Sequence, residues 1–203
     1  MKRVLIFSAL LVIMNSAFQH NAIAQNGQKQ PVKIVMFGNS ITHGGDWPTL
    51  LARKDVVNWG IPGYLTGQLL WTIKDVLAQH PGTGIWFIEG GINDIYLGMP
   101  VKRIYQNFQV MVDSLRNNDI IPVVQSTIFK RDAPEDNKKV AKLNRKVKAW
   151  CNKNQVLYID LNEFLSADGE LKEEFSIDGC HLKPPAYIPW AQSVKEMLKR
   201  NGF

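Results

Sequence analysis

The residues able to do chemistry fall in a few short segments. One is Gly38-Asn39-Ser40-Ile41-Thr42-His43-Gly44-Gly45, which follows an apolar run from Val32 to Phe37. Its glycines let the chain turn sharply and bring the Ser40 backbone close to a substrate. A serine hydroxyl attacks an acyl carbon only when a base takes its proton, so a histidine must come from elsewhere in the chain. There are four histidines, and His20 and His80 stand in poor contexts. The loop Ile177-Asp178-Gly179-Cys180-His181-Leu182 offers the base. On a turn, the Asp178 carboxylate can accept the His181 Nδ1 proton, which fixes the tautomer and leaves Nε2 free for the Ser40 proton. Taken alone, Gly-Asn-Ser is equally a turn that caps a helix, and a single Asp-x-x-His says little. His43 is the competing base, and a metal site from His43, Asp46 and His181 lacks diagnostic ligand spacing.

Acyl transfer also needs donors aimed at the oxyanion, and loss of one typically costs on the order of 100-fold in rate. Gly60, within Asn58-Trp59-Gly60-Ile61-Pro62-Gly63, presents a backbone N–H with no side chain in the way. Asn93, within Glu89-Gly90-Gly91-Ile92-Asn93-Asp94, can point its amide across the strand ends. Each has a plain alternative, Gly60 as a turn and Asn93 as a helix cap.

The elements that must position these residues are legible as well. Apolar, β-rich runs recur at Val32–Phe37, Val56–Trp59, Gly84–Glu89, Ile120–Ser126 and Val156–Asp160. Helical periodicity marks about Thr66–Gln79, Val101–Asn117, Glu135–Asn154 and Tyr187–Lys199. The runs show little polar alternation, as expected of strands covered on both faces. The economical architecture is therefore α/β, a three-layer sandwich with a central five-stranded parallel sheet and right-handed crossovers. In such sheets ligands bind beyond the carboxyl ends of the strands, where Ser40, Gly60 and Asn93 fall.

Taken in order, Gly38-Asn39-Ser40-Ile41, Asn58 to Gly63, Gly91-Ile92-Asn93-Asp94 and Asp178-Gly179-Cys180-His181 resemble the four motifs of the SGNH (GDSL-like) hydrolases. The resemblance covers nearly the whole chain after its N-terminal segment. It implies a flavodoxin-like fold and an esterase, lipase or acylhydrolase activity. Ser40 would be the nucleophile, His181 the base and Asp178 its orienting carboxylate, with the Ser40 and Gly60 N–H groups and the Asn93 amide as the oxyanion hole. The acyl-enzyme mechanism so implied needs no metal or organic cofactor. Asn39 and Ile41 depart from the Gly-Asp-Ser-Leu signature; Asn keeps the shape of Asp and a loop hydrogen bond but not the charge. A non-catalytic glycan-binding module on the same fold would be expected to lack a triad or oxyanion residue, and none is missing.

Lys2 and Arg3, the apolar run Val4–Met14 and Ala22-Ile23-Ala24 form a signal-peptide pattern over residues 1–24, leaving one domain over 25–203. The apolar run is too short for a membrane span, and no cysteine follows it for lipid attachment. The expected product is periplasmic or secreted, with no nucleic-acid partner: the net charge of +6 includes Lys2 and Arg3. The basic stretch from Lys138 to Lys153 reads as the solvated face of an amphipathic helix. Cys151 and Cys180 could pair, but a domain of this size needs no staple. Of the aromatics near the expected loops, Trp59 and Tyr96 adjoin the site motifs most closely and are the candidates for substrate contact. With no lid insertion in view, a small acyl group, acetyl foremost, on carbohydrate is the expected substrate, and a lysophospholipid or other short-chain lipid ester is the rival.

Overall fold

In the computed structural model, residues 33–203 are described; the expected signal peptide at 1–24 lies outside them. The chain runs β1 (Ile34–Gly38), α1 (Ser40–His43), α2 (Trp47–Leu51), β2 (Val56–Gly60), α3 (Thr66–Gln79), β3 (Ile85–Ile88), α4 (Ile92–Tyr96), α5 (Val101–Arg116) and β4 (Ile121–Gln125). It continues through α6 (Pro134–Lys153), β5 (Leu157–Ile159), α7 (Asn162–Leu165), the hairpin β6 (Ser166–Ala167) and β7 (Glu170–Leu171), and α8 (Tyr187–Arg200). The five main strands form one parallel sheet of order β2-β1-β3-β4-β5.

Why the sheet is covered follows from its residues. Every side chain of β1 and β3 is buried, including Phe37, Trp86 and Phe87, so helices must lie on both faces. The long helices supply them: α5 buries Ile104, Phe108, Met111, Val112 and Leu115, and α6 buries Val140, Leu143, Val147 and Cys151. The opposite face of α6 carries the lysines, as its spacing requires. The expected α/β sandwich and its four long helices are present, with bounds shifted by no more than two residues. Among the described residues, no helix is long and apolar enough to cross a membrane.

Strand order sets where a site can form. β2 and β3 flank β1 on opposite sides, so the connections leaving β1 and β3 diverge and open a crevice at their carboxyl ends. Ser40, Gly60 and Asn93 all stand at that crevice edge, directly after or at the ends of β1, β2 and β3.

Candidate active site

Ser40 opens the one-turn helix α1. Asn39 is its N-cap: the buried Asn39 Oδ1 accepts the Ile41 N–H at 2.8 Å. A helix this short leaves its carbonyls with few backbone partners, and two core aromatics add bonds to them. Trp47 Nε1–H donates to Thr42 O at 2.8 Å and the Tyr187 hydroxyl donates to Ile41 O at 2.8 Å. Both rings pack against Trp190, Trp47 edge-on at 4.9 Å between centroids and Tyr187 stacked at 5.8 Å. The glycines here serve a different purpose from the one expected. Gly44 has an ordinary helical φ of −68°, and neither Gly38 nor Gly45 is left-handed. A Cβ on Gly38 would strike Thr42 Oγ1, one on Gly44 the Tyr187 hydroxyl, and one on Gly45 would come within 2.6 Å of the Trp47 ring. Close packing, not conformational freedom, demands glycine.

The histidine comes from a loop closed by its own hydrogen bonds. Ser176 and Leu182 form an antiparallel bridge, and Ile177 N–H donates to His181 O at 2.9 Å. Gly179 lies in the left-handed region, φ 89°, with its N–H donating to Ser176 Oγ at 2.7 Å and its carbonyl accepting from Arg131 N–H at 2.8 Å. Asp178 Oδ1 accepts the backbone N–H groups of His181 at 2.8 Å and Cys180 at 3.0 Å, while Oδ2 meets His181 Nδ1 at 2.7 Å. The His181 backbone N–H and then its imidazole, with the Cys180 N–H contributing less, hold the Asp178 carboxyl down at about 2. With Nδ1 bonded to the carboxylate, His181 Nε2 stands 3.1 Å from Ser40 Oγ. The structure thus brings Ser40, His181 and Asp178 into one line at distances that allow proton transfer. His43, the competing base, is exposed and turned away, its Nδ1 3.0 Å from Gly60 O.

The three expected oxyanion donors converge less evenly. Ser40 N–H, at the start of α1, has no partner among the described residues. Asn93 Nδ2 donates to Tyr64 O at 3.0 Å, which fixes the amide and leaves its second hydrogen available; the N-cap of α4 is Gly91, not Asn93. Gly60 N–H donates to Asn58 Oδ1 at 2.9 Å, so it can serve an oxyanion only as a shared donor or after Asn58 turns. A Cβ on Gly60 would strike the His43 backbone, which accounts for the glycine.

Of the two aromatics singled out for substrate contact, Tyr96 is 72% exposed at the end of α4, with Lys130 Nζ 5.1 Å from its ring centroid. Trp59 is partly buried against the core and meets His80 edge-on at 5.9 Å. Cys151 and Cys180 are both free thiols, pushed up to about 12 and about 11 by burial.

Two features of the site are not foreseen from the sequence. One is the clamp of Trp47 and Tyr187 on α1, because both look like ordinary core aromatics. The other is Glu89, a fully buried carboxyl at the end of β3. Its signal in the sequence is an acidic residue closing an all-apolar strand, Ile85-Trp86-Phe87-Ile88-Glu89.

A doubly wound sheet with serine, histidine and carboxylate aligned at its switch point is the layout of a serine hydrolase. The chain belongs to the GDSL-like lipase/acylhydrolase family, whose sequence profile matches residues 36–187, and with it to the ester-hydrolysing enzymes. It is 32% identical over 176 residues to an N-acylneuraminate cytidylyltransferase of Streptococcus agalactiae, a match covering 85% of this chain and 40% of that protein. The chain thus spans well under half the length of that relative. Among solved structures it resembles a GDSL-like lipase from Bacteroides thetaiotaomicron, with a TM-score of 0.76, 19% identity, and coverage of 93% of this chain and 97% of the other. It also resembles a carbohydrate acetylesterase from Sinorhizobium meliloti, with a TM-score of 0.70, 14% identity, and coverage of 83% and 99%.

Proposed function

We propose that this acylhydrolase is exported and removes small acyl groups, acetyl foremost, from carbohydrate through a covalent intermediate on Ser40. The observation that carries the mechanism is the continuous line Ser40 Oγ, His181 Nε2, His181 Nδ1, Asp178 Oδ2, with gaps of 3.1 and 2.7 Å. Ser40 Oγ attacks the ester carbonyl as Nε2 takes its proton, and the oxyanion forms against Ser40 N–H and the free hydrogen of Asn93 Nδ2. His181 then protonates the departing alcohol. In the second half, the same nitrogen deprotonates water, which releases the acid and restores Ser40.

The carbohydrate assignment is supported by Tyr96, an exposed ring three residues after Asn93 on α4, of a kind that suits the face of a sugar. The names of two relatives point the same way, one for an N-acylated sugar acid and one for carbohydrate acetyl esters. Export is supported by the basic and apolar residues of 1–24 and their Ala-x-Ala end. A lipid ester is the second reading, because Leu97 and Met99 after α4 and Ile177 beside Asp178 are exposed apolar side chains. Acetate release from acetylated xylan, set beside fatty-acid release from lysophosphatidylcholine, separates the two. The carbohydrate reading predicts the first and a p-nitrophenyl ester preference for acetate over octanoate; turnover of lysophosphatidylcholine and octanoate alone would replace it with the lipid reading.

A further inference from the structure

Beneath the nucleophile lies a group of polar atoms that the esterase chemistry leaves unused. Glu89 is completely buried, and its Oε2 accepts the Thr42 Oγ1 hydrogen at 3.1 Å. Thr42 belongs to α1, the turn that carries Ser40, so this bond ties the end of β3 to the nucleophile helix. Asn39, immediately before Ser40, is buried too. Its Oδ1 is committed to Ile41 N–H, which leaves Nδ2 as a buried donor without a partner at hydrogen-bonding distance. Glu89 Oε1 is a buried acceptor in the same condition. Ile88 pairs with Val124, so Glu89 stands beside Gln125 one step on, and Gln125 Nε2 is a further buried donor without a partner.

We propose that Glu89 is a positioning residue for Ser40, holding the nucleophile turn through Thr42 and Asn39, and that the charged carboxylate holds it more tightly than the neutral acid. This rests on the esterase reading above. An ionised carboxylate accepts from several donors at once, and charge-assisted bonds are the stronger kind, so Thr42 Oγ–H and the Asn39 N–H groups are drawn inward when Glu89 ionises. Burial pushes the Glu89 carboxyl up to about 7, with Thr42 and the backbone and side-chain N–H groups of Asn39 opposing that rise. The change of state therefore falls inside the working range. The Tyr187 phenol on α8 and the Cys180 thiol in the histidine loop also feel this charge; burial raises both, Cys180 to about 11, so they stay neutral there.

Asn39 fits this arrangement. Where the family signature has aspartate, a second carboxyl would face Glu89, and two adjacent buried carboxylates cannot both ionise. The polarity of the pair is then testable by exchange. In Glu89→Gln the amide has one acceptor oxygen, which can serve Thr42 or Asn39 Nδ2 but not both; in Asn39→Asp/Glu89→Gln the aspartate still caps Ile41 with one oxygen and offers the other to the glutamine amide.

The experiment measures kcat/KM for p-nitrophenyl acetate from pH 5 to 9 in wild type, Ser40→Ala, Glu89→Gln and the double variant, with hydrogen–deuterium exchange of the peptide around 36–47 in each. Taking the ratio of wild type to Glu89→Gln isolates the part of the pH dependence that requires the Glu89 carboxyl. The ratio should rise by about tenfold as pH passes 7, exchange around 36–47 should quicken in Glu89→Gln at pH 8, and the double variant should recover most of both. A ratio independent of pH, or exchange unchanged in that peptide, overturns the proposal while an active wild type leaves the esterase reading intact. If wild type is no better than Ser40→Ala, the esterase reading fails, and the exchange data still decide whether Glu89 holds the turn.

Discussion

The two halves of the site are built by opposite means. Ser40 stands on a turn whose neighbours Asn39, Ile41 and Thr42 are buried, pinned by Trp47, Tyr187 and Glu89 from three different elements. His181 and Asp178 stand on an exposed loop, with side chains 47% and 52% accessible, held almost entirely by bonds within residues 176–182. Ser40 is placed by the core and His181 by local hydrogen bonds. Ser40 is fixed from several elements and His181 by one short loop, and this division predicts that damage to the two halves will look different.

The largest separation is expected at the triad itself. Ser40→Ala and His181→Ala should each lower kcat/KM for p-nitrophenyl acetate by more than about 1,000-fold. Because His181 is exposed, its substitution should leave unfolding free energy within about 0.5 kcal/mol in urea titrations. A large loss of stability in His181→Ala would show that the loop is a structural member after all. Next, Asn93→Ala should reduce kcat by on the order of 100-fold with KM little changed, since its free hydrogen acts only when the oxyanion forms. Unchanged kcat would leave the hole to backbone donors.

On the buried side the order of effects reverses. Trp47→Phe removes the shorter of two hydrogen bonds to Thr42 O and leaves that from Gly45 N–H at 3.3 Å, at a cost of about 0.5–1.5 kcal/mol of stability, read by chemical denaturation, with the rate falling less than in Asn93→Ala. The smallest effect concerns acid. The Asp178 carboxyl is held down from 3.8 to about 2, so its contribution is complete above about 4 and disappears as pH falls through about 2. On an exposed loop it amounts to less than about 1 kcal/mol, and melting curves of wild type and Asp178→Asn between pH 2 and 6 should nearly superimpose.

Much of this architecture is legible in the amino-acid sequence. Apolar runs with turn residues at both ends announce the sheet, and three motifs at the strand ends with a fourth in the loop before α8 announce where chemistry collects. Asp178 and His181 can be paired because their contact is local, set by a short loop. What stays hidden depends on contacts remote in sequence. Tyr187 meets Ile41, and Glu89 meets Thr42, only after the sheet has brought their strands and helices together. The short helices α1, α2, α4 and α7 are also beyond periodicity, since one turn contains too few residues to show a repeat. Gly44 is legible as a glycine but not for the right cause: the Tyr187 ring it admits comes from elsewhere in the fold.

The central claim is that Ser40 is a nucleophile activated by His181. Its most direct test is covalent labelling by a fluorophosphonate, followed by intact mass and peptide mapping, in wild type and His181→Ala. A single adduct on Ser40, forming more than about 1,000-fold faster in wild type, is the predicted result. An adduct on another residue, or equal rates in the two proteins, would contradict it.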